Sequence, residues 1–157
     1  MTDFFLKEGH LRPSNAAVAL IVVGEGPRYL MQLRDQKAGI FYPGHWGLFG
    51  GAIDPGEAPE TTLQRELAEE LRLSGVQVTY FTEFEFDFAF CGYGRLIRRC
   101  YEVRLPEDGL AQLVLGEGSD MQAFTAAEIL NAPRVAPYDA LAVWLHASQE
   151  RTLKMQA

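Results

Sequence analysis

The chain has 157 residues, 48% of them hydrophobic and 22% charged, with 15 glycines and 8 prolines. That excludes collagen-like, disordered and low-complexity chains and predicts a single domain over 1–157. Fourteen Lys and Arg against 21 Asp and Glu leave a net charge of −7, which works against a nucleic-acid polymer or an anionic membrane as partner.

Residues 16–23 form the longest apolar run, eight residues. It is too short to cross a bilayer. It is not expected to be a secretory leader either, because Met1-Thr2-Asp3 is acidic rather than basic. Its β-branched and aliphatic content predicts a buried strand, with residues 29–34 as the hairpin partner across a Gly/Pro turn. Residues 35–44 read as a loop. Trp46 to Phe49 is a short apolar stretch ended by Gly50-Gly51. From Pro59 to about Leu73 the pattern is helical. Pro59 suits the first helical turn, and Leu63, Leu67 and Leu71 make one apolar stripe.

Residues 83–90 alternate strictly, with Glu83, Glu85 and Asp87 opposed to Phe84, Phe86, Phe88 and Phe90. This predicts a strand whose aromatic face is buried in the core or in a homodimer interface rather than stacked on a base. After a turn at Cys91–Gly94, residues 96–105 return, so Arg95, Arg98, Arg99 and Arg104 are expected to pair with those acids across the hairpin. Residues 113–115 read as a short strand. Thr125 with Glu128 forms a capping box opening a short helix, and Pro137 opens the last helix, to about Ala147. Strands interleaved with helices predict an α/β sandwich on a mixed sheet. Cys91 and Cys100 show no metal-ligand spacing and read as packing or surface thiols. Two cysteines form no disulfide framework, so the compartment is expected to be cytoplasmic. His10, His45 and His146 read as surface or loop residues.

The chemistry concentrates in Gly50-Gly51 and the segment from Asp54 to Glu70. Six acids against one base give that segment −5 of the total −7. Glu66, Glu69 and Glu70 stand at i, i+3 and i+4, so their carboxylates share a helix face beside the leucine stripe. Such crowding of like charge destabilises a helix, and a hard divalent cation is the obvious remedy. The bland alternative for Glu69-Glu70 alone is a solvated acidic face. Gly50-Gly51 allows close backbone approach and offers a carbonyl oxygen. The whole spacing is Gly51, five residues, Glu57, seven residues, then Arg65-Glu66-Leu67-x-Glu69-Glu70. By chance it arises on the order of once in 10⁵–10⁶ chains of this length.

This stretch resembles the signature box of the Nudix (MutT-like) hydrolases, in which Gly51, Glu57, Arg65, Glu66, Leu67, Glu69, Glu70 and Leu73 match. Arg72 departs from the box's final glycine, and Gly75 is expected to close the helix instead. The resemblance implies the Nudix fold, an α/β/α sandwich around a mixed sheet. It also implies hydrolysis of a diphosphate linkage in a nucleoside diphosphate joined to another group. The expected metal set is Gly50, Glu57, Glu66, Glu69, Glu70 and Glu117, holding Mg²⁺ or Mn²⁺. Glu66, Glu69 and Glu117 are the expected catalytic carboxylates, with Asp120 a weaker candidate, and Arg65 would orient the glutamates. Arg34 is expected to approach the pocket, while Trp46 and Phe49 pack. The expected partner is a small nucleotide, with nucleoside triphosphates and nucleotide sugars both open. No proline lies between Pro59 and Pro106, which counts against the ADP-ribose type. Two alternatives are a non-catalytic nucleotide-sensing Nudix domain and an isopentenyl-diphosphate isomerase-like enzyme.

Overall fold

The computed structural model describes residues 13–156, with Cys91 and Glu150 described in backbone only. The expectations for His10, the N-terminal leader and the Cys91 thiol lie outside the described residues.

Among the described residues seven strands form one mixed sheet: β1 (Ala16–Val23), β2 (Arg28–Leu33), β3 (Trp46–Gly47), β4 (Phe49–Ala52), β5 (Thr79–Asp87), β6 (Arg95–Leu105) and β7 (Asp120–Thr125). The helices are α1 (Pro59–Leu71), α2 (Ala126–Asn131) and α3 (Pro137–Gln156). Strand β1 is central. It runs parallel to β6 along its whole length, while its other edge takes β4 and then β2, both antiparallel. All eight residues of β1 are buried, because helices cover both sheet faces. Ala17, Ala19, Ile21 and Val23 pack with Leu63, Leu67 and Leu71 of α1. Val18, Leu20 and Val22 pack with Ile129, Ala142 and Val143 of α2 and α3. A strand buried on both faces loses the period-two pattern and becomes a continuous apolar run. This is the α/β/α sandwich expected from the sequence. Among the described residues no helix is long and apolar enough to cross a membrane.

Several local expectations change. Gly50-Gly51 lies inside β4 rather than ending a strand. The stretch before residue 113 is a 3-10 helix, Glu107–Gln112, and residues 113–115 form no strand. The missing strand is β7, which pairs with β2 along six positions. Strand β5 begins earlier and stops at Asp87, so Phe88 and Phe90 lie beyond it. The capping box at Thr125 and Glu128 is present, with both hydrogen bonds made. Phe49 is fully buried, and Trp46 packs edge-on against Phe124, ring centroids 4.9 Å apart.

His146 is a core residue rather than a surface one. It bridges the Tyr29 hydroxyl at 2.8 Å and the Glu102 carboxylate at 2.6 Å, tying α3 to β2 and β6. The basic residues of β6 also divide differently. Arg95 and Arg99 pair across the hairpin with Glu85 and Glu83. Arg104 pairs with Glu102 on its own strand, and Arg98 turns inward to Asp139. Both faces of the sheet are covered, so successive residues of β6 meet different partners.

The end of α1 corrects the capping expectation. Arg72 itself adopts the left-handed conformation, φ 56° and ψ 27°. Its N–H donates to the Ala68 carbonyl at 3.1 Å, and the Leu73 N–H to that of Leu67 at 3.2 Å. The helix therefore closes at Arg72, three residues before Gly75, because the pair of capping bonds and the packing of the partly buried Leu73 on the core outweigh the Cβ strain. Replacing Arg72 with glycine should raise stability by about 0.5–1 kcal/mol. Urea denaturation of the two proteins measures it, and a less stable Arg72→Gly would contradict the strain.

Candidate active site

Helix α1 lies over β1 and β4, and two glycines set how closely. At Gly50, φ is 133°, and a Cβ there would sit 2.2 Å from the Ala17 carbonyl oxygen of β1. At Gly51 a Cβ would sit 2.6 Å from the Glu66 carboxyl. Side chains at either position would push strand and helix apart.

Into this contact α1 projects its carboxylates. Glu70 is 4% exposed. One oxygen accepts from the Gly50 N–H at 2.9 Å and the other from the Gln32 side-chain amide at 3.2 Å. Glu66 lies over Gly51 and accepts from Arg65 Nη1 at 2.7 Å. Glu57 takes the other edge of the Arg65 guanidinium, with bonds of 3.2 and 3.1 Å, and a bond of 2.6 Å from the Thr62 hydroxyl. Arg65 and Thr62 together hold the Glu57 carboxyl down to about 2. Glu69 is more exposed, with a longer ion pair to Arg65 of 3.7 Å. Arg65 thus spans three of the box glutamates.

Glu117 reaches the same region from the loop before β7. That loop is held against the end of α1 by the Gly116 N–H, which donates to the Glu70 carbonyl at 2.7 Å. The Glu117 charge disfavours ionisation of both Glu66 and Glu70. Asp120 starts β7 and accepts from the next backbone N–H at 2.8 Å. The site therefore gathers Glu66, Glu69, Glu70 and Glu117, with Arg65 paired to Glu66 and Glu69. Among the described residues no three His, Cys, Asp or Glu side chains form a ready metal cage, since Arg65 holds Glu57 and Glu66 while Gly50 and Gln32 hold Glu70. The donor set is nonetheless all carboxylate and carbonyl oxygen with an excess of negative charge, which fits a hard divalent cation.

Gly50, Gly51 and Ala52 also form one wall of a cavity of about 560 Å³. Its other walls are mainly apolar and aromatic, including Phe86, Leu96, Tyr138 and Leu141, with Arg34 and Arg98 among the polar members. Phe84 packs on the core, but Phe86, Phe88 and Phe90 line this cavity, so the aromatic stripe is not one core face. Arg34 is near the pocket as expected, its Nε donating to the Phe41 carbonyl at 2.7 Å. Sequence reasoning missed Gln32, Arg98 and Asp139. An isolated glutamine in a strand carries no signal, and Asp139 follows a helix-opening proline where an acid is ordinary.

Burial pushes the Glu70 carboxyl up to about 7, against the pull of Gly50 and Gln32 and helped by Glu66 and Glu117. A folded-state value above that of the unfolded chain means the native state holds the proton more tightly. Glu70's contribution to stability is full below the ordinary carboxylate range and is lost as pH rises through about 7. Between pH 5 and 8 the metal-free wild type should lose roughly 2–3 kcal/mol more stability than Glu70→Gln. Denaturant melts of both in EDTA measure the difference, and equal losses would contradict the assignment.

The model of the NUDIX domain family matches residues 13–145. Nucleoside triphosphatase NudI of Escherichia coli (strain HS) is 41% identical over 54 residues, 34% of this chain and 37% of that protein. An uncharacterized Nudix hydrolase, orf19, of Rhodococcus erythropolis is 38% identical over 60 residues, 38% of this chain and 32% of that protein. The chain thus matches about a third of the length of these curated relatives. Among solved structures, a MutT Nudix hydrolase from Burkholderia pseudomallei superposes with a TM-score of 0.67 at 21% identity, covering 84% of this chain and 96% of that one. The NUDIX domain of Shewanella oneidensis NrtR, complexed with ADP ribose, gives 0.67 at 19% identity over 97% and 99%. These likenesses show the fold.

Proposed function

The chain belongs to the Nudix family, and from that premise we propose that it is a metal-dependent hydrolase cleaving a diphosphate linkage in a nucleoside diphosphate joined to another group. The observation that carries this reading is the gathering of Glu66, Glu69, Glu70 and Glu117 beside Gly50-Gly51, at the wall of a cavity large enough for the rest of a nucleotide. The whole chain acts as one such domain, in the cytoplasm, on a small nucleotide.

Gly50 through its carbonyl, Glu66, Glu69, Glu70 and Glu117, with Glu57 in a supporting place, would hold Mg²⁺ or Mn²⁺. Such an ion, when bound, offsets phosphate charge and lowers the pKa of the attacking water. The chain's own residues do the rest. Arg65 fixes Glu57 and Glu66 by charge-assisted hydrogen bonds. Glu117 or a box glutamate takes the water's proton on a carboxylate oxygen as the new P–O bond forms and the bridging P–O bond breaks. The apolar cavity excludes water from the group it holds.

A nucleoside triphosphate is the favoured substrate class, supported by the name of the NudI relatives and by the aromatic lining of the cavity. The likeness to a NUDIX domain complexed with ADP ribose keeps a non-catalytic sensing role as the second reading. An isomerase-like role would need a reactive cysteine, which Cys100 does not offer, being fully buried with its thiol pushed up to about 12.

Incubation with Mg²⁺ and a panel of nucleotides should release phosphate or pyrophosphate, and EDTA should abolish it. Release that persists in EDTA, or none with any nucleotide, would sink the proposal. Glu69→Gln and Glu70→Gln should each lower turnover by about 10²-fold or more. Unchanged turnover in both would remove them from the site.

A further inference from the structure

The cavity beside the box contains one feature the hydrolytic chemistry does not use. Arg98 points from β6 into the cavity wall, and its side chain is 16% exposed. Its guanidinium lies over the Tyr138 ring, 4.2 Å from the centroid. Nε and Nη2 both donate to Asp139 Oδ1, at 3.2 and 2.7 Å. Asp139, itself 2% exposed, accepts the Leu48 N–H on its other oxygen at 3.0 Å. An aromatic plane and a buried carboxylate, itself tied to the backbone, thus fix this cation. Nothing in the metal chemistry requires a cation there.

A guanidinium carries five N–H groups and two edges suited to paired acceptors. Asp139 occupies the Nε–Nη2 edge, leaving Nη1 and the second N–H of Nη2. Among the described residues Asp139 is the side chain that hydrogen-bonds the guanidinium, and Arg98 itself lines the cavity, which leaves the remaining edge available to a group held there. The cavity therefore offers an aromatic, mostly apolar enclosure with paired donors fixed in one wall.

Resting on the hydrolase reading, the geometry points to Arg98 as the residue that sets base specificity, selecting a 6-oxopurine nucleotide over a 6-aminopurine one. A 6-oxopurine presents O6 and N7 as adjacent acceptors, matching a guanidinium edge. A 6-aminopurine presents an N–H₂ donor in place of O6, which meets the Arg98 donors head-on and leaves buried groups unpaired. A hexose fits less well, since its hydroxyls need many partners and this lining supplies few. The phosphates then extend past Gly50-Gly51 toward Glu66.

The test compares inosine and adenosine nucleotides, which differ at the 6-position of the base. With Mg²⁺, calorimetric titration should show inosine 5′-monophosphate binding at least about tenfold tighter than adenosine 5′-monophosphate. The same ratio should appear in kcat/KM for the triphosphates, carried by KM. Arg98→Lys keeps the charge opposite Asp139 but loses the fork, and the ratio should fall to near one. Because a lone loss of charge would strand Asp139, the double variant R98M/D139N provides a second test with neither charge present; circular dichroism checks its fold. Equal binding of the two monophosphates by the wild type, no binding of either, or a preference surviving in the folded variants would overturn the inference. Triphosphate hydrolysis without base preference would overturn it while leaving the hydrolase reading intact. Selective monophosphate binding by a protein that hydrolyses no nucleotide would support Arg98 and overturn the hydrolase reading.

Discussion

The structure depends on how closely one strand and one helix approach. Gly50 and Gly51 let β4 lie against β1 on one side and under α1 on the other, with clearances of 2.2 and 2.6 Å where a Cβ would stand. That closeness brings a backbone N–H within reach of Glu70, so a carboxylate can be buried with a partner instead of facing water. It also sets the Glu66 carboxyl directly above the strand and makes the glycine backbone a wall of the cavity. Core packing and site chemistry thus rest on the same two residues, neither of which has a side chain to contribute.

The charge follows the same economy. Arg65 touches Glu57, Glu66 and Glu69, but one guanidinium cannot balance the acids around it, and Glu117 adds another from a separate loop. The strain appears at Glu66 and Glu70, whose carboxyls both resist ionisation, chiefly through burial. A protein built only for stability would put an apolar residue at Glu70. Retaining a carboxylate there has a cost that a bound cation can offset.

Long, repetitive signals were legible in the sequence. The eight apolar residues of β1 and the four-residue spacing of Leu63, Leu67 and Leu71 identified the strand and helix that carry the candidate site, and the box spacing picked out its candidate carboxylates. Isolated residues whose meaning lies in a distant partner were not legible. His146 looked like a surface residue because Tyr29 and Glu102 are 117 and 44 positions away. Arg98 looked like a cross-strand partner because period two assigns a face without saying what covers it. Strand β7 was obscured by the glycines and serine before it and by its short, mixed composition. The aromatic alternation of β5 was visible, but the chain leaves the strand at Asp87 and carries Phe88 and Phe90 to the cavity rim.

The parallel pairing of β1 with β6 joins residues 82 positions apart at every rung, from Ala16 with Arg98 to Val23 with Leu105. During synthesis, β1 leaves the ribosome roughly 4–16 s before its long partner, at about 5–20 residues per second. Through that interval an uncharged, proline-free strand of eight apolar residues still lacks its native partner on one edge. Its hairpin with β2 and the pairing with β4 form from nearby sequence and protect the other edge first. The nascent chain's exposure to misassociation is thus set by when residue 105 emerges, not by the stability of the finished sheet.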